Sequence, residues 1–347
     1  MVKFYIIIAY YNPKEYWLIR CVESIIENKY KNIEIIFLND GSINKNFINE
    51  KIKDTLKRNN IKYQDIYIEH CGNAVAKSKA LNYCTENNSY IWYVDCDDTI
   101  ENNALHDLNA FIQKNKDIDL INCNLKSFLC EENENFENYL ISSWPKKKYD
   151  EIVFNPQKIF FNKYLENLSH MWDWSCAVNI FRKNFMDGFG ENVLCSEKII
   201  YEDIYNVLFL SAFATRIASI DKSIYIYWKN RADSASKKIS SKHDYFLEVI
   251  NIFQKLVTKI NEYIDKKKFN KDFFNSLFQE VFINIFNRSQ YKTRFQKRKI
   301  YKKIKSLLSN EKVFFQQTKN NLLKSFKSQY YYSLKKIIKI VVKKIFF

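Results

Sequence analysis

Two pairs of neighbouring acids have the spacing that metal and proton chemistry requires. Asp95 and Asp97 are separated by one residue and follow a short apolar run, and Asp98 comes next. Carboxylates at positions i and i+2 can turn into one concavity and bind a hard divalent cation together. The second pair, Glu202-Asp203, opens an apolar helical pattern, where acids also favour the helix dipole. The first pair predicts a cation site, and the second fits either a catalytic or a helix-start role.

The elements that must position these acids alternate between strand and helix patterns. Apolar runs at 3–9, 33–38, 63–68 and 90–94 predict buried strands, and helical spacing separates them. This alternation predicts an α/β fold built from right-handed βαβ units around a mostly parallel sheet. The first acid pair then lies just beyond the fourth strand.

Polar residues follow each of these four strands. Because ligands of open α/β sheets bind beyond the carboxyl ends of the strands, we expect the four loops to form one site. Turn formation and, for the last acid, helix capping are the alternatives. The loops contain Tyr11-Asn12, Asn39-Asp40-Gly41, His70-Cys71-Gly72 and Asp95-Cys96-Asp97-Asp98.

The composition indicates a folded body with a basic C-terminal segment. Of 347 residues 47% are hydrophobic, which excludes wholesale disorder, and 4 Gly and 3 Pro exclude collagen-like and low-complexity classes. Residues 288–347 contain eighteen Lys or Arg and one acid, so the net charge of +16 arises there. Eight cysteines without a CxxC pair or zinc-site spacing predict reduced thiols in a cytosolic protein.

The last eighteen residues have the pattern of a helix that lies on a membrane. No apolar stretch reaches the about 18–20 residues needed to span a bilayer. Lysines opposite an apolar stripe favour the surface of an anionic membrane. A solvated helical bundle is the alternative. We expect no nucleic-acid partner, because no known nucleic-acid-binding motif accompanies the basic residues. The stripe consists of Leu334, Ile337, Ile338, Val341 and Ile345.

Five motifs stand in a recognisable order: AYYN (9–12), LNDGS (38–42), GNAVAKSKAL (72–81), YVDCDD (93–98) and YED (201–203). In this order and spacing the chain resembles family 2 glycosyltransferases, in particular those that build bacterial surface polysaccharides. The resemblance covers about residues 2–235. It implies an inverting enzyme with a GT-A fold (Rossmann-like, with a mostly parallel central sheet), extended here by a basic helical segment at the C-terminus.

The resemblance implies a role for each matching position. Asp203 would be the general base with Glu202 beside it, and Asp97 with Asp95 would hold Mn²⁺ or Mg²⁺. Asp40 would contact the nucleotide base. The nucleotide-sugar side would comprise Tyr11, Asn12, Asp40, Lys77, Asp95 and Cys96.

The sequence departs from the usual family pattern at several of these loops. The family usually has Pro at Ala9, Asp at Asn39, Asn at His70 and Arg at Lys77. Lys77 keeps the positive charge but loses the bidentate geometry of arginine. Neither the cation-binding acids nor the candidate base is lost.

Three side chains are candidates for the acceptor side of the site. Trp172 and Trp174 could present flat faces to a sugar ring, although aromatic core packing fits either of them equally well. His170 stands beside them in the sequence.

These observations predict a glycosyltransferase domain over residues 1–240 and a helical, basic, membrane-associating region over 241–347. We expect transfer of a hexose or N-acetylhexosamine from a UDP-sugar to a glycan or lipid-linked acceptor, for lipooligosaccharide, capsule or another surface polysaccharide. The enzyme would be peripheral, on the inner face of the bacterial inner membrane. The alternative is a non-catalytic membrane- or nucleic-acid-binding protein on an inactive transferase scaffold, which retention of Asp95, Asp97 and Asp203 disfavours.

Overall fold

The protein is described here by a computed structural model, over residues 1–129, 140–143, 151–156, 175–190, 193–194, 202–229, 245–288, 294–310, 312–314, 316 and 318–323. The strands are β1 (Lys3–Tyr10), β2 (Ile33–Asp40), β3 (Lys62–Ile68), β4 (Ser89–Tyr93), β5 (Thr99–Ile100), β6 (Leu120–Leu129), β7 (Leu140–Ser143), β8 (Glu151–Phe154), β9 (Asn179–Arg182) and β10 (Ile217–Lys229). The helices are α1 (Glu15–Glu27), α2 (Glu50–Arg58), α3 (Asn73–Ala80), α4 (Ala104–Lys114), α5 (Lys183–Asp187), α6 (Glu202–Phe213), α7 (Tyr245–Tyr263), α8 (Lys271–Arg288) and α9 (Arg294–Leu307).

The strands form one sheet in the order β3-β2-β1-β4-β9-β6-β10-β5, with β7 beside β6 and β8 beside β10. Pairing is parallel from β3 to β4 and again between β6 and β10. Strand β9 joins these two parts by antiparallel pairing with β4 and β6. The order confirms the predicted α/β fold and places the ends of β1, β2, β3 and β4 at one edge.

Helices cover both faces of the sheet, which is why its central strands are continuously apolar. All eight residues of β1 are buried. Helices α1, α2 and α4 pack on one face, and α3, α6, α7, α8 and α9 contribute to the hydrophobic cluster on the other. The division predicted at residue 240 stays a prediction, although α7 and α8 share a core with α6.

Most of the predicted elements in the described residues form, with shifted ends. Helix α2 starts at Glu50 because the Asn49 side chain accepts from the Ile52 amide (3.0 Å) and caps it. Helix α3 ends at Ala80 and continues as a single 3₁₀ turn. Strand β10 is thirteen residues long and pairs with β6 along most of its length. The C-terminal stripe predicted for residues 334–345 lies outside the described residues.

Candidate active site

The turn after β4 gives its three acids different environments. The Asp98 amide donates to the Asp95 carbonyl oxygen (3.0 Å) and closes the turn. The Asp95 side chain is 41% exposed and Asp97 is half-buried. The buried Asp98 carboxylate accepts from the Trp228 amide (3.0 Å) and the Tyr225 hydroxyl (2.9 Å). A helix-capping role for Asp98 is therefore wrong, because its oxygens bond to β10.

A buried lysine joins the two pairs of acids. Lys77 on α3 is 4% exposed. Its Nζ lies 3.5 Å from Asp95 Oδ1, 3.5 Å from Glu202 Oε1 and 3.3 Å from Asp203 Oδ1. Burial alone would lower the pKa of Lys77, but attraction to the three carboxylates, strongest for Asp203, outweighs it and raises this pKa well above its ordinary value. Lys77 is thus a fixed cation between the turn after β4 and the start of α6.

The two acids that begin α6 differ in their access to solvent. Asp203 keeps 27% of its side chain exposed, whereas Glu202 keeps 12% and also accepts from the Asn73 side-chain amide. Burial raises the pKa of Glu202, and the nearby Lys77 opposes this rise. Asp203 is therefore the acid with better access to the proton of a bound hydroxyl group.

A buried thiol lies beside Asp203. Cys176, in a 3₁₀ turn before β9, is fully buried, and burial raises its pKa well above the usual value, with the charge of Asp203 acting in the same direction. The group therefore stays a thiol at neutral pH, next to the Asp203 carboxylate. Asp203 therefore has a buried, uncharged neighbour in Cys176 and a buried cation in Lys77, whose Nζ lies 3.3 Å from Asp203 Oδ1.

Asp40 ends β2 and holds the first turn of α3. Its carboxylate accepts from the amides of Cys71 (2.7 Å) and Gly72 (2.9 Å), and His70 Nδ1 lies 3.0 Å from Oδ2. Gly41 has φ +75°, and a Cβ there would lie 2.6 Å from the His70 backbone nitrogen. The predicted contact of Asp40 with a nucleotide base stays a prediction, and the structure shows that Asp40 organises the loop beside it.

The loop after β1 is locked to the loop after β2. The Asn12 amide donates to Ser42 Oγ (2.8 Å), and Asn12 Oδ1 accepts from the Ile43 amide (2.9 Å). Tyr11 is 51% exposed, and its ring centroid lies 4.2 Å from that of His70. The sheet edge thus presents an exposed aromatic pair next to Asp40. Cys96 is half-buried within the turn after β4.

The chemistry of the Asp95–Asp97 turn suits a divalent cation bound together with a diphosphate. Among the residues that the structure describes, no three His, Cys, Asp or Glu side chains form a group that could hold a metal. Mg²⁺ commonly takes one or two protein carboxylates and completes its shell with waters and substrate phosphates. Two partly exposed carboxylates match that mode.

The predicted site residues that are described come from five elements or loops at this edge. Lys77, Asp95, Glu202 and Asp203 form one cluster, and Tyr11, Asn12 and Asp40 lie in the neighbouring loops. The acceptor candidates Trp172, Trp174 and His170 lie outside the described residues.

Sequence reasoning missed three polar partners of the acids: Asn73, Cys176 and Tyr225. For Asn73 a signal existed, since it lies one helical turn before Lys77 and shares its face. The other two lie on elements distant in sequence, and their residue types fit core packing equally well.

Comparison with known proteins identifies the family. The model of glycosyl transferase family 2 matches residues 5–183, more than half of the chain. Glycosyltransferase GlyA of Streptococcus pneumoniae serotype 4 is 32% identical over 57% of this chain, which spans only 29% of GlyA. Glycosyltransferase GlyG of the same organism is 23% identical over 73% of this chain and 79% of its own length.

Among solved structures, residues 1–349 of S. aureus TarS in complex with UDP-GlcNAc are similar to this fold. The TM-score is 0.63 at 16% identity, over 90% of this chain and 82% of the TarS chain. The strand order, the position of the acids and the matched family model lead to one conclusion: the chain belongs to glycosyl transferase family 2 and has the GT-A fold.

Proposed function

We propose that the protein is an inverting glycosyltransferase that transfers a hexose or N-acetylhexosamine from a UDP-sugar to a glycan acceptor. The observation that carries this proposal is the cluster around Lys77, which brings Asp95 of the turn after β4 within one ion-pair network of Glu202 and Asp203. Family membership and the complex of TarS with UDP-GlcNAc support a nucleotide-sugar donor.

The reaction needs a base on one side of the sugar and a stabilised leaving group on the other. Single displacement at an anomeric carbon passes through an oxocarbenium-like transition state. Asp203 accepts the proton of the acceptor hydroxyl, and its ion pair with Lys77 (3.3 Å) holds the carboxylate in place. Lys77, as a fixed cation, also adds positive potential near the departing diphosphate.

Asp97 and Asp95 would hold a divalent cation, Mn²⁺ or Mg²⁺, on the donor side. When bound, such an ion neutralises the diphosphate and stabilises the charge on the departing phosphate oxygen. The protein's own part is to keep both carboxylates at the carboxyl end of β4, in a turn closed by the Asp98 amide.

The acceptor we propose is a lipid-linked or polymeric glycan of a bacterial surface, such as lipooligosaccharide or capsule. The basic C-terminal segment would hold the enzyme on the anionic inner face of the inner membrane, where such acceptors are assembled. Among the described residues, no helix is both long and apolar enough to cross a bilayer.

The experiment is a screen of nucleotide sugars for hydrolysis and transfer, followed by Asp203→Asn with the donor that reacts. We expect the rate to fall by about 10²–10⁴, the worth of a positioned base, with donor affinity near that of the unchanged protein. Asp265→Asn is the matched control, because Asp265 is exposed and pairs only loosely with Lys312 at 3.5 Å. A rate for Asp203→Asn within threefold of the control would refute Asp203 as base.

A further inference from the structure

The turn that contains Asp95 and Asp97 is fastened to β10 by a chain of hydrogen bonds. The Asp95 amide donates to the Tyr225 hydroxyl (3.1 Å), and that hydroxyl donates to Asp98 Oδ2 (2.9 Å). The second oxygen of Asp98 accepts from the Trp228 amide (3.0 Å). Tyr225 and Asp98 are each only 1% exposed. Both ends of the turn are therefore bonded to one distant strand.

Strand β10 is itself a firm support for these bonds. It pairs with β6 along most of its length and with the short β5 that follows the turn. The Trp228 indole donates to Thr99 Oγ1 (3.1 Å), and its ring lies 4.0 Å from the guanidinium of Arg20 on α1. Side chains on β10 thus meet α1 and β5 around the turn, so a change in the turn would disturb packing on three elements.

The Asp98 carboxylate has no part in the proposed transfer. Its two oxygens accept from β10, and it lies in the core rather than in the open part of the turn. A buried carboxylate with directed hydrogen bonds is costly to leave without them, so it enforces one conformation of its surroundings. The two residues that we assign to the cation, Asp95 and Asp97, stand within three positions of it.

We propose that Asp98 and Tyr225 are positioning residues, which preset the backbone of the Asp95–Asp97 turn for the donor and its cation by tying it to β10. The effect of these two residues on transfer rests on the proposed function. The hydrogen bonds that join the turn to β10 are a property of the fold. Neither residue touches substrate in this scheme.

The test compares Tyr225→Phe and Asp98→Asn with the unchanged full-length protein. Amide hydrogen exchange in peptides covering residues 95–98 reports directly on the hydrogen bonds that join the turn to β10. In Tyr225→Phe, loss of the hydrogen bond that the Asp95 amide donates to the Tyr225 hydroxyl should speed exchange there roughly tenfold. With the donor that reacts, kcat/KM should fall by about tenfold in Tyr225→Phe. A pre-steady-state assay at saturating acceptor should show that the variant binds the donor more weakly.

Tyr30→Phe is the matched control. Tyr30 is equally buried, and its hydroxyl bonds to the Val2 carbonyl oxygen (2.6 Å) and Asn109 (2.9 Å) at the opposite end of β1. It should lose similar stability without changing exchange at 95–98 or donor affinity.

Two results would overturn the inference. Unchanged exchange at residues 95–98 in both variants would show that β10 does not hold the turn. Faster exchange at residues 95–98, with a donor affinity equal to that of Tyr30→Phe, would show that the hydrogen bonds to β10 have no role in the reaction. If no nucleotide sugar reacts with the unchanged protein, the proposed function fails, whereas the exchange experiment still decides whether these hydrogen bonds exist.

Discussion

Replacing Lys77 by Met should destabilise the protein far more than the loss of an ordinary surface lysine. Lys77 is buried and its ammonium lies within 3.5 Å of three carboxylates. Removing one partner from a buried ion pair costs about 3–5 kcal/mol, because the remaining charge has no compensation. Asp95 adds little to this cost, since its side chain is 41% exposed and solvent screens it. The loss should therefore come mainly from Glu202 and Asp203.

The size of this loss should depend on pH. Burial already raises the pKa of Glu202 above its ordinary value of 4.5, and Lys77 opposes that rise, so Lys77→Met should raise it further. A carboxyl group whose pKa is raised by folding stabilises the fold below its unfolded pKa. That stabilisation is lost as the pH rises through the folded pKa. The deficit of Lys77→Met should therefore be larger at pH 8, at about 3 kcal/mol or more, than at pH 5.

The assay is urea unfolding followed by tryptophan fluorescence at pH 5 and pH 8. Lys312→Met is the matched control, because Lys312 and its partner Asp265 (3.5 Å) are both exposed, and such a surface pair should be worth less than about 1 kcal/mol. Equal free energies of unfolding for the two variants, or a deficit that does not change with pH, would refute the buried network.

Three further predictions concern the cation, the loop after β2 and the basic segment. Asp97→Asn should abolish divalent-dependent UDP binding in calorimetry with little change in unfolding, and UDP binding that survives EDTA would contradict the cation role. Gly41→Ala should lower the free energy of unfolding by about 1–3 kcal/mol, since φ is +75° and the new Cβ would meet the His70 backbone; an unchanged urea midpoint would contradict that geometry. Deletion of residues 330–347 should weaken sedimentation with anionic vesicles, more at low than at high salt, and spare activity on a soluble acceptor. Equal sedimentation of both proteins would leave the segment without a membrane role.

Much of the fold and part of the site follow from local pattern alone. Buried strands read as continuous apolar runs because helices cover both faces of the sheet, as β1 shows. The carboxyl ends of parallel strands meet at one edge, so the positions of Asp40 and Asp95 could be predicted from the order of elements. The start of α6 at Glu202 also agrees with its acidic first turn.

The partners of these residues were decided by tertiary structure. The distances between a lysine and two acids on different elements cannot be read from the sequence. Only the packing of α3 against the sheet brings Lys77 close to Asp95 and Asp203. The same holds for Asp98, whose local context fits a helix cap as well as a site. Its true partners lie about 130 positions away on β10. The local sequence pattern indicates where strands end and which polar residues follow them, because residue types follow burial and turn geometry. Which of them pair, and which stay open to a ligand, depends on contacts between elements far apart in the chain.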